Sequence, residues 1–176
     1  MPRISYITDE AAGDEPLVAA IRRRRGGRLL NLDRMLLYSP PFARGWNAFL
    51  GAVRNELGLA AKLRELAMCV VAVLNGADYE FIHHAPEFVK AGGTNAQVEA
   101  LRGIADELMD TRLFNAVERA TVALTVEMTR RVKVDDATFT ALRAHLPDAQ
   151  IVELVGVIAA YNMVSRFLVA LGVEAE

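Results

Sequence analysis

Apolar residues recur at intervals of three and four along most of this chain, and such spacing predicts α-helices. Residues 117–130, VERATVALTVEMTR, are a clear example. Segments in which Val, Ile or Thr alternate with polar residues between turns, which would predict strands, do not recur. The pattern therefore predicts an all-α protein, a compact helical domain of about 7–9 helices.

Glycine, proline and capping residues divide the pattern into separate helices. Residues 1–15 are expected to form an extended arm, because Gly13 and Pro16 interrupt a helix there. Asn31 or Asp33 is expected to cap the second predicted helix. The predicted helices span residues 16–25, 31–38, 41–57, 60–75, 78–91, 95–103, 115–131, 136–146 and 148–171.

Length and charge restrict the classes of protein to consider. A chain of 176 residues is expected to form one domain over residues 1–176, with a substantial core. The formal net charge of -2 gives no strong field that would favour nucleic acid or an anionic membrane. The basic run at residues 22–25 is interpreted as a solvated helix end, with a docking patch for an anion or a partner as the alternative.

The single cysteine and the hydropathy pattern bear on the compartment. Cys69 cannot form an intrachain disulfide, and this composition suits a reducing cytoplasm. The N-terminal residues lack the apolar core of a secretory signal. The longest uncharged C-terminal stretch, residues 154–165, is shorter than the roughly 20 residues that span a bilayer. We therefore expect a cytoplasmic protein with no membrane-spanning segment.

Residues 65–84, ELAMCVVAVLNGADYEFIHH, carry the candidate chemistry. Glu65 precedes a long apolar run, so its carboxylate is expected to be partly desolvated and able to give up or relay a proton near neutral pH. The alternative is an exposed glutamate that the helix dipole stabilises. Glu80, His83 and His84 follow the run, and Glu80 can hydrogen-bond to His84 or to His83 on a helix surface.

The distance between the two glutamates depends on the turn between them. Along a continuous helix Glu65 and Glu80 would lie about 22 Å apart, and they can meet only if the chain kinks near Gly76 or packs against a second subunit. Cys69 lies inside the apolar run and is expected to be a buried, inert thiol. His145 is expected to be a helix-end cation.

No metal or cofactor is expected at these residues. Adjacent side chains on a helix point about 100° apart. Glu80, His83 and His84 are therefore poorly placed to bind one metal ion together.

The segment at residues 65–92, ELAMCVVAVLNGADYEFIHHAPEFVKAG, resembles the carboxymuconolactone decarboxylase / alkylhydroperoxidase D superfamily. Weaker similarity in the same order is found at NLDRMLLYSPPFARGWNAF, VDDATFTALRAHL and YNMVSRFLVALGVE, so that the resemblance covers about residues 29–173. It implies an all-α fold and obligate homo-oligomers, as dimers, trimers or hexamers.

The chain departs from the peroxidase branch of that superfamily at one point. There a Cys-x-x-Cys-x-x-x-His motif follows a glutamate by twelve residues. Glu65 matches that glutamate and His84 that histidine, whereas Ala77 and Glu80 occupy the two cysteine positions. Peroxide reduction by that branch needs a thiolate and a resolving thiol. The pattern at residues 79–81, Tyr-Glu-Phe, is more similar to the decarboxylase branch, which works without thiols.

These residues favour a cofactor-free acid–base enzyme that acts on a small carboxylated lactone or a related organic acid. Loss of carbon dioxide leaves an electron-rich carbon, which His84, paired with Glu80, would protonate. Glu65 would tune or relay that proton. The candidates for an arginine that holds the substrate carboxylate are Arg44, Arg64 and Arg166.

Two other functions stay open on the sequence alone. A hydroperoxide reductase of the alkylhydroperoxidase D type would have to act through Cys69. A non-catalytic, ligand-binding oligomer would keep the fold without the chemistry. Oligomerisation is also indicated by the aromatic and Met-rich segments at residues 35–49 and 161–167, which would otherwise form the core of the protomer.

Overall fold

The computed structural model describes residues 1–13, 15–106 and 108–176, and every regular element in these ranges is helical. They contain ten α-helices, eight of them at least seven residues long, and the all-α prediction is confirmed. Two short 3₁₀ turns follow α7, at Ile104–Asp106 and Thr111–Leu113. The α-helices are α1 (Asp9–Ala12), α2 (Pro16–Arg24), α3 (Asn31–Leu36), α4 (Pro40–Asn55), α5 (Ala61–Leu74), α6 (Asp78–Lys90), α7 (Asn95–Arg102), α8 (Ala116–Arg131), α9 (Asp136–Arg143) and α10 (Asp148–Leu171).

A short helix, α1, lies inside the segment that was predicted to be an extended arm. It begins after Thr8, whose hydroxyl accepts a hydrogen bond from the backbone N–H of Ala11 at 3.2 Å. Asp9 and Glu10 occupy its first turn, where negative charge favours a helix N-terminus. The prediction of an extended arm is therefore wrong for this turn. Asp14, in the same predicted arm, lies outside the described residues.

The start of α3 also differs from the prediction. Leu30 occupies the N-cap position, and Asn31 is the first residue of the helix. The Asp33 carboxylate, from the third position of the helix, accepts a hydrogen bond from the Leu30 backbone N–H at 3.1 Å. Neither of the two predicted residues is the N-cap, and Asp33 stabilises the helix start from inside the first turn.

By its internal contacts the chain divides into two compact units. The first comprises residues 1–56 and 168–176, with α1 to α4 and the end of α10. The second comprises residues 57–167, with α5 to α9 and most of α10. All of the predicted site residues belong to the second unit.

Local bonds in the first unit account for the basic run. Asp33 is buried and forms ion pairs with Arg25, at 3.0 Å from Nε to Oδ2, and with Arg24 at 3.5 Å. Arg22 donates to the backbone carbonyl of Gly13 at 2.9 Å. The run lies at the end of α2, as interpreted, but Arg22, Arg24 and Arg25 are partly buried and bonded within the unit, so the interpretation as a solvated segment is wrong for them.

The second unit is built around α5. Residues 66–72 of this helix are at most 1% exposed. The helix packs against both α6 and α8, as an almost entirely apolar helix requires. Glu65 lies at the edge of this buried stretch.

The chain reverses direction between α5 and α6 at Gly76. This residue has φ 62°, a left-handed conformation that glycine adopts without strain. The Ala77 N–H donates to the Ala72 carbonyl at 2.8 Å and the Gly76 N–H to the Val73 carbonyl at 3.2 Å, which is the hydrogen-bond pattern of a Schellman motif. The chain therefore turns sharply at Gly76, as one of the two ways in which Glu65 could approach Glu80 requires.

The last helix, α10, has the bounds predicted from the sequence, Asp148–Leu171. α10 has 24 residues, and its length and mean hydropathy of 1.8 are sufficient for a membrane span. The sequence argument that the apolar stretch is too short is therefore corrected. The buried side chains of α10 include Tyr161 and the hydroxyl of Ser165, which contacts Glu80, and a core helix passes the same hydropathy test.

Candidate active site

The centre of the candidate site is a hydrogen bond between His84 on α6 and Glu65 on α5. His84 Nδ1 lies 2.7 Å from Glu65 Oε2. The two residues are nineteen positions apart, and the turn at Gly76 brings them together. Their side chains are 14% and 9% exposed, so the pair is largely withdrawn from water but not sealed from it.

The surroundings of the pair fix the roles of its atoms. The Nε atom of Arg64 lies 3.5 Å from Glu65 Oε1, so a positive charge adjoins this side chain. A carboxylate can only accept, so His84 Nδ1 carries the hydrogen and Nε2 is the ring atom that can exchange a proton with a ligand. The ring of Tyr161 meets the imidazole edge-to-face at 4.9 Å between centroids, which restricts the imidazole plane.

Glu80 lies one turn before His84 and is 2% exposed. Its Oε2 atom is hydrogen-bonded to the hydroxyl of Ser165 on α10, which is itself fully buried. Sequence reasoning missed Ser165. No local signal indicated it, because Ser165 is eighty-five residues from Glu80 in the sequence.

His83 points to a different set of partners from His84. It is half-buried, its Nδ1 donates to the Tyr79 carbonyl at 2.7 Å, and its ring stacks on that of Tyr79 at 4.3 Å. The Nδ1 atoms of the two histidines bond to a backbone carbonyl and to Glu65. The expected pairing of Glu80 with His84 or His83 stays a prediction.

The described ranges of the chain contain no group of three or more His, Cys, Asp or Glu side chains that could hold a metal ion. Glu80 and the two histidines were the candidates in the sequence.

Cys69 is enclosed by the core of the second unit. It is 0% exposed, and burial raises the pKa of its thiol well above the ordinary value. A thiol in this state is a poor nucleophile, because the thiolate is the reactive form. At the first cysteine position of the peroxidase motif, Ala77 has no nucleophilic atom.

The three arginine candidates differ in their positions. Arg64 is beside Glu65, and its side chain is 15% exposed. Arg166 donates to the backbone and side-chain oxygens of Asn162, both at 2.8 Å. Arg44 is an exposed residue of the first unit. Arg64 is therefore the arginine that the structure places at the Glu65–His84 pair.

A groove of about 870 Å³ lies on another face of α6. Its walls are mainly apolar and come from α6 and α7. The residues that line it are Asp78, Phe81, Ile82, Ala85, Pro86, Val89, Asn95, Val98 and Arg102. Neither Glu80 nor His84 is among its lining residues. The volume of this groove therefore does not identify it as the site of the chemistry.

Solved structures resemble this fold over nearly the whole chain. An uncharacterized peroxidase-related protein from Ralstonia eutropha JMP134, described as an alkylhydroperoxidase AhpD core, has a TM-score of 0.84 at 18% identity, covering 99% of this chain and 92% of that one. An uncharacterized peroxidase-related protein from Silicibacter sp. TM1040 has a TM-score of 0.78 at 20% identity, covering 99% and 94%. The debrominase Bmp8, in complex with 2,3,4-tribromopyrrole, has a TM-score of 0.77 at 17% identity, covering 100% and 94%. At these identities the similarity shows the fold alone.

Sequence comparison identifies the family. No curated protein matches the chain. The profile of the Carboxymuconolactone decarboxylase family matches residues 40–127, which is half of the sequence and includes Glu65, Glu80 and His84. The chain therefore belongs to the carboxymuconolactone decarboxylase family and has the helical fold of the AhpD-like proteins.

Proposed function

We propose that this protein is a cofactor-free acid–base enzyme that decarboxylates a small carboxylated lactone or a related organic acid. The observation that supports this most directly is the 2.7 Å hydrogen bond between His84 Nδ1 and Glu65 Oε2. A carboxylate in this position orients the imidazole and stabilises its protonated form, as in other carboxylate–histidine pairs. The family membership agrees with such a reaction without fixing the substrate.

The proposed step is the protonation that completes a decarboxylation. The bond between the carboxylate carbon and its neighbour breaks, carbon dioxide leaves, and the electron pair remains on the neighbouring carbon. His84 in its protonated form donates the Nε2 proton to that carbon and becomes neutral, while Glu65 keeps its bond to Nδ1. Each turnover consumes one proton, which must be returned to His84 before the next.

Arg64 is the proposed partner of the substrate carboxylate. Its guanidinium lies beside Glu65, and a guanidinium binds a carboxylate through two parallel hydrogen bonds. Because Arg64 and His84 both contact Glu65 or lie close to it, a carboxylate held by Arg64 would stay near the imidazole.

A thiol-based peroxidase is less well supported by this site. Cys69 is fully buried with a raised pKa, and no second thiol exists to form a disulfide with it. The same lone, buried thiol suits the cytoplasmic location that we propose.

The test is a direct comparison of two activities in the purified protein. Carbon dioxide release from a panel of carboxylated lactones is measured beside the reduction of organic hydroperoxides with a thiol reductant. We expect decarboxylation, and a loss of about a hundredfold or more in His84→Ala and in Glu65→Gln. Cys69→Ala should keep the activity. Hydroperoxide turnover that disappears in Cys69→Ala would overturn the assignment.

Two further histidine variants make the result specific. His145 is exposed and belongs to the same unit, so His145→Ala is the control and should retain wild-type turnover. His83→Ala separates the roles of the two adjacent imidazoles. Because His83 Nδ1 is bonded to the Tyr79 carbonyl, a smaller loss is expected there than in His84→Ala.

A further inference from the structure

The hydroxyl of Ser165 has one hydrogen and two acceptors within reach. The Tyr161 carbonyl oxygen lies 2.9 Å from Ser165 Oγ, and Glu80 Oε2 is also hydrogen-bonded to Oγ. Ser165 is 0% exposed and Glu80 is 2% exposed, so both bonds lie away from bulk water. A single O–H cannot donate two full hydrogen bonds, and the two contacts therefore depend on where the protons are.

The chemistry of the acceptors allows two arrangements. A backbone carbonyl only accepts, so when Ser165 donates to Tyr161 the bond to Glu80 must be donated by a neutral glutamic acid. When Glu80 is ionised, the hydroxyl turns and donates to the carboxylate. Only a hydrogen moves between the two arrangements, and the heavy atoms keep their places.

The surroundings of Glu80 favour its neutral form. Glu80 is 2% exposed, and burial away from water disfavours the charged form of a carboxyl group. Cys69 on α5 lies near it and is held as a neutral thiol, and His84 follows one turn later on its own helix.

We propose that Ser165 is a positioning residue that holds Glu80 in the same place in both protonation states, and that neutral Glu80 is the proton store from which His84 is reprotonated. The second half of this statement rests on the proposed decarboxylation. Glu80 and His84 are one turn apart on the same face of α6, a spacing that brings side chains together.

The proton balance of one cycle is complete. His84 gives its Nε2 proton to the substrate carbon and becomes neutral. Neutral Glu80 passes its proton to the imidazole and becomes a carboxylate, and the Ser165 hydroxyl turns from Tyr161 to donate to it. A proton from water then restores neutral Glu80, and the hydroxyl turns back.

Infrared spectroscopy tests the protonation of Glu80 without any substrate. A protonated carboxyl gives a carbonyl band that shifts in D₂O. We expect such a band in the wild-type protein within the range of about pH 5 to pH 8. It should disappear in Glu80→Gln, persist in Glu65→Gln and shift in frequency in Ser165→Ala. The absence of any band that depends on Glu80 across this range would overturn the proposal.

Turnover tests the positioning role, with Thr125 as a matched control. Thr125 is fully buried and donates to the Thr121 carbonyl at 2.7 Å, the same backbone bond that Ser165 makes, but on α8. Ser165→Ala should lower kcat about tenfold or more and displace the pH profile, with little change in KM. Thr125→Val should leave the pH profile in place. Equal effects of the two substitutions on kcat and on the pH profile would show that Ser165 contributes only to core packing.

The two experiments separate the failure of this inference from that of the proposed function. If no lactone is turned over but the Glu80 band is present and responds to Ser165→Ala, the proposed reaction is wrong and the positioning by Ser165 stands. If lactones are turned over but the band is absent, the reaction stands and the proton store is wrong.

Discussion

Glu65 and His84 face each other across an antiparallel pair of helices, eleven residues before and eight residues after the turn at Gly76, and share a 2.7 Å hydrogen bond. The same hairpin brings Cys69 near Glu80. It thus gathers residues from eleven to nineteen positions apart into one row. Whatever changes the turn should change the whole row.

Gly76→Ala is expected to destabilise the protein and to impair the site. The glycine has φ 62°, and an L-residue in this left-handed region costs about 1–2 kcal/mol. No atom lies within 4 Å of an added Cβ, so the loss comes from the backbone conformation alone. Urea unfolding should show a loss of this size, and turnover should fall with it.

Gly156→Ala is the matched control for that substitution. Gly156 lies inside α10, has no positive φ, and also has no atom within 4 Å of an added Cβ. Alanine there should stabilise the helix by about 0.5–1 kcal/mol. If both substitutions changed stability in the same direction, backbone strain at Gly76 would not be the cause.

The helices could be predicted from the sequence because their ends are marked locally. Thr94 accepts from the Gln97 N–H at 3.1 Å and Asn115 from the Glu118 N–H at 3.0 Å, as expected for N-caps, and α6 ends just before Gly92. The pairing of Glu65 with His84 needed more than these local signals. It can be inferred only once the Schellman turn at Gly76 is recognised. Periodicity reports only the spacing along one helix, so it could indicate a pairing of Glu80 with a histidine on its own helix but not the pairing across the turn.

The partner of Glu80 was beyond such reasoning. Ser165 is eighty-five residues away, and the contact exists only because α10 packs against α6 at one rotation about its axis. Local signals specify which face of a helix is apolar, but they do not specify which helix covers it. The arginine beside Glu65 was in the candidate set, and the choice among the three needed coordinates for the same reason.

Glu118→Gln is expected to loosen the start of α5. Glu118 is 2% exposed; its Oε1 pairs with Lys62 Nζ at 2.6 Å, and its Oε2 accepts from Gln97 Nε2 at 3.1 Å and from the Asn115 N–H at 3.0 Å. An amide has one acceptor oxygen in place of two, so its NH2 group would face either the lysine ammonium or the two N–H donors. A buried bond lost in this way costs about 1–3 kcal/mol. Urea unfolding measures this loss.

The control for Glu118 is an exposed pair. Glu87 and Lys90 are 2.5 Å apart, with side chains 50% and 70% exposed, so Glu87→Gln should cost less than about 1 kcal/mol. Lys62 is one turn before Glu65, and therefore Glu118→Gln should also lower turnover while Glu87→Gln should not. Equal stability losses in the two variants would show that burial of the Glu118 bonds is not the cause of the loss.

Cys69 should resist alkylation in the folded protein at neutral and mildly alkaline pH. Burial raises the pKa of its thiol, so the reactive thiolate is not formed as the pH rises through the range in which an exposed cysteine ionises. Iodoacetamide labelling followed by mass spectrometry should find the native protein unmodified and the urea-unfolded protein labelled once. Rapid labelling of the native protein would restore Cys69 as a candidate nucleophile.

The raised pKa of the Cys69 thiol also predicts that the folded protein loses stability at high pH. The thiol ionises at a lower pH in the unfolded chain than in the folded one, so its contribution is fully present below the unfolded pKa and is lost as the pH rises above it. The Tm of the wild-type protein should therefore fall above about pH 8.5. Cys69→Ala, compared with its own Tm at neutral pH, should show a smaller fall, and an identical slope in both proteins would exclude the thiol as the cause.

We also propose that the protomers associate. Exposed aromatic side chains on α4 and just before its start support this proposal. Tyr38, Phe42 and Phe49 are 55%, 46% and 50% exposed, although Trp46 between them belongs to the core. Large apolar side chains that cluster on a surface are typical of interaction sites.

Light scattering at micromolar concentration should give a mass at least twice the 19.3 kDa of one chain. Phe49→Ser should shift the distribution toward monomer, whereas Val152→Ser, which removes an isolated exposed side chain on α10, should not. A clean monomer in the wild-type protein would contradict the proposal.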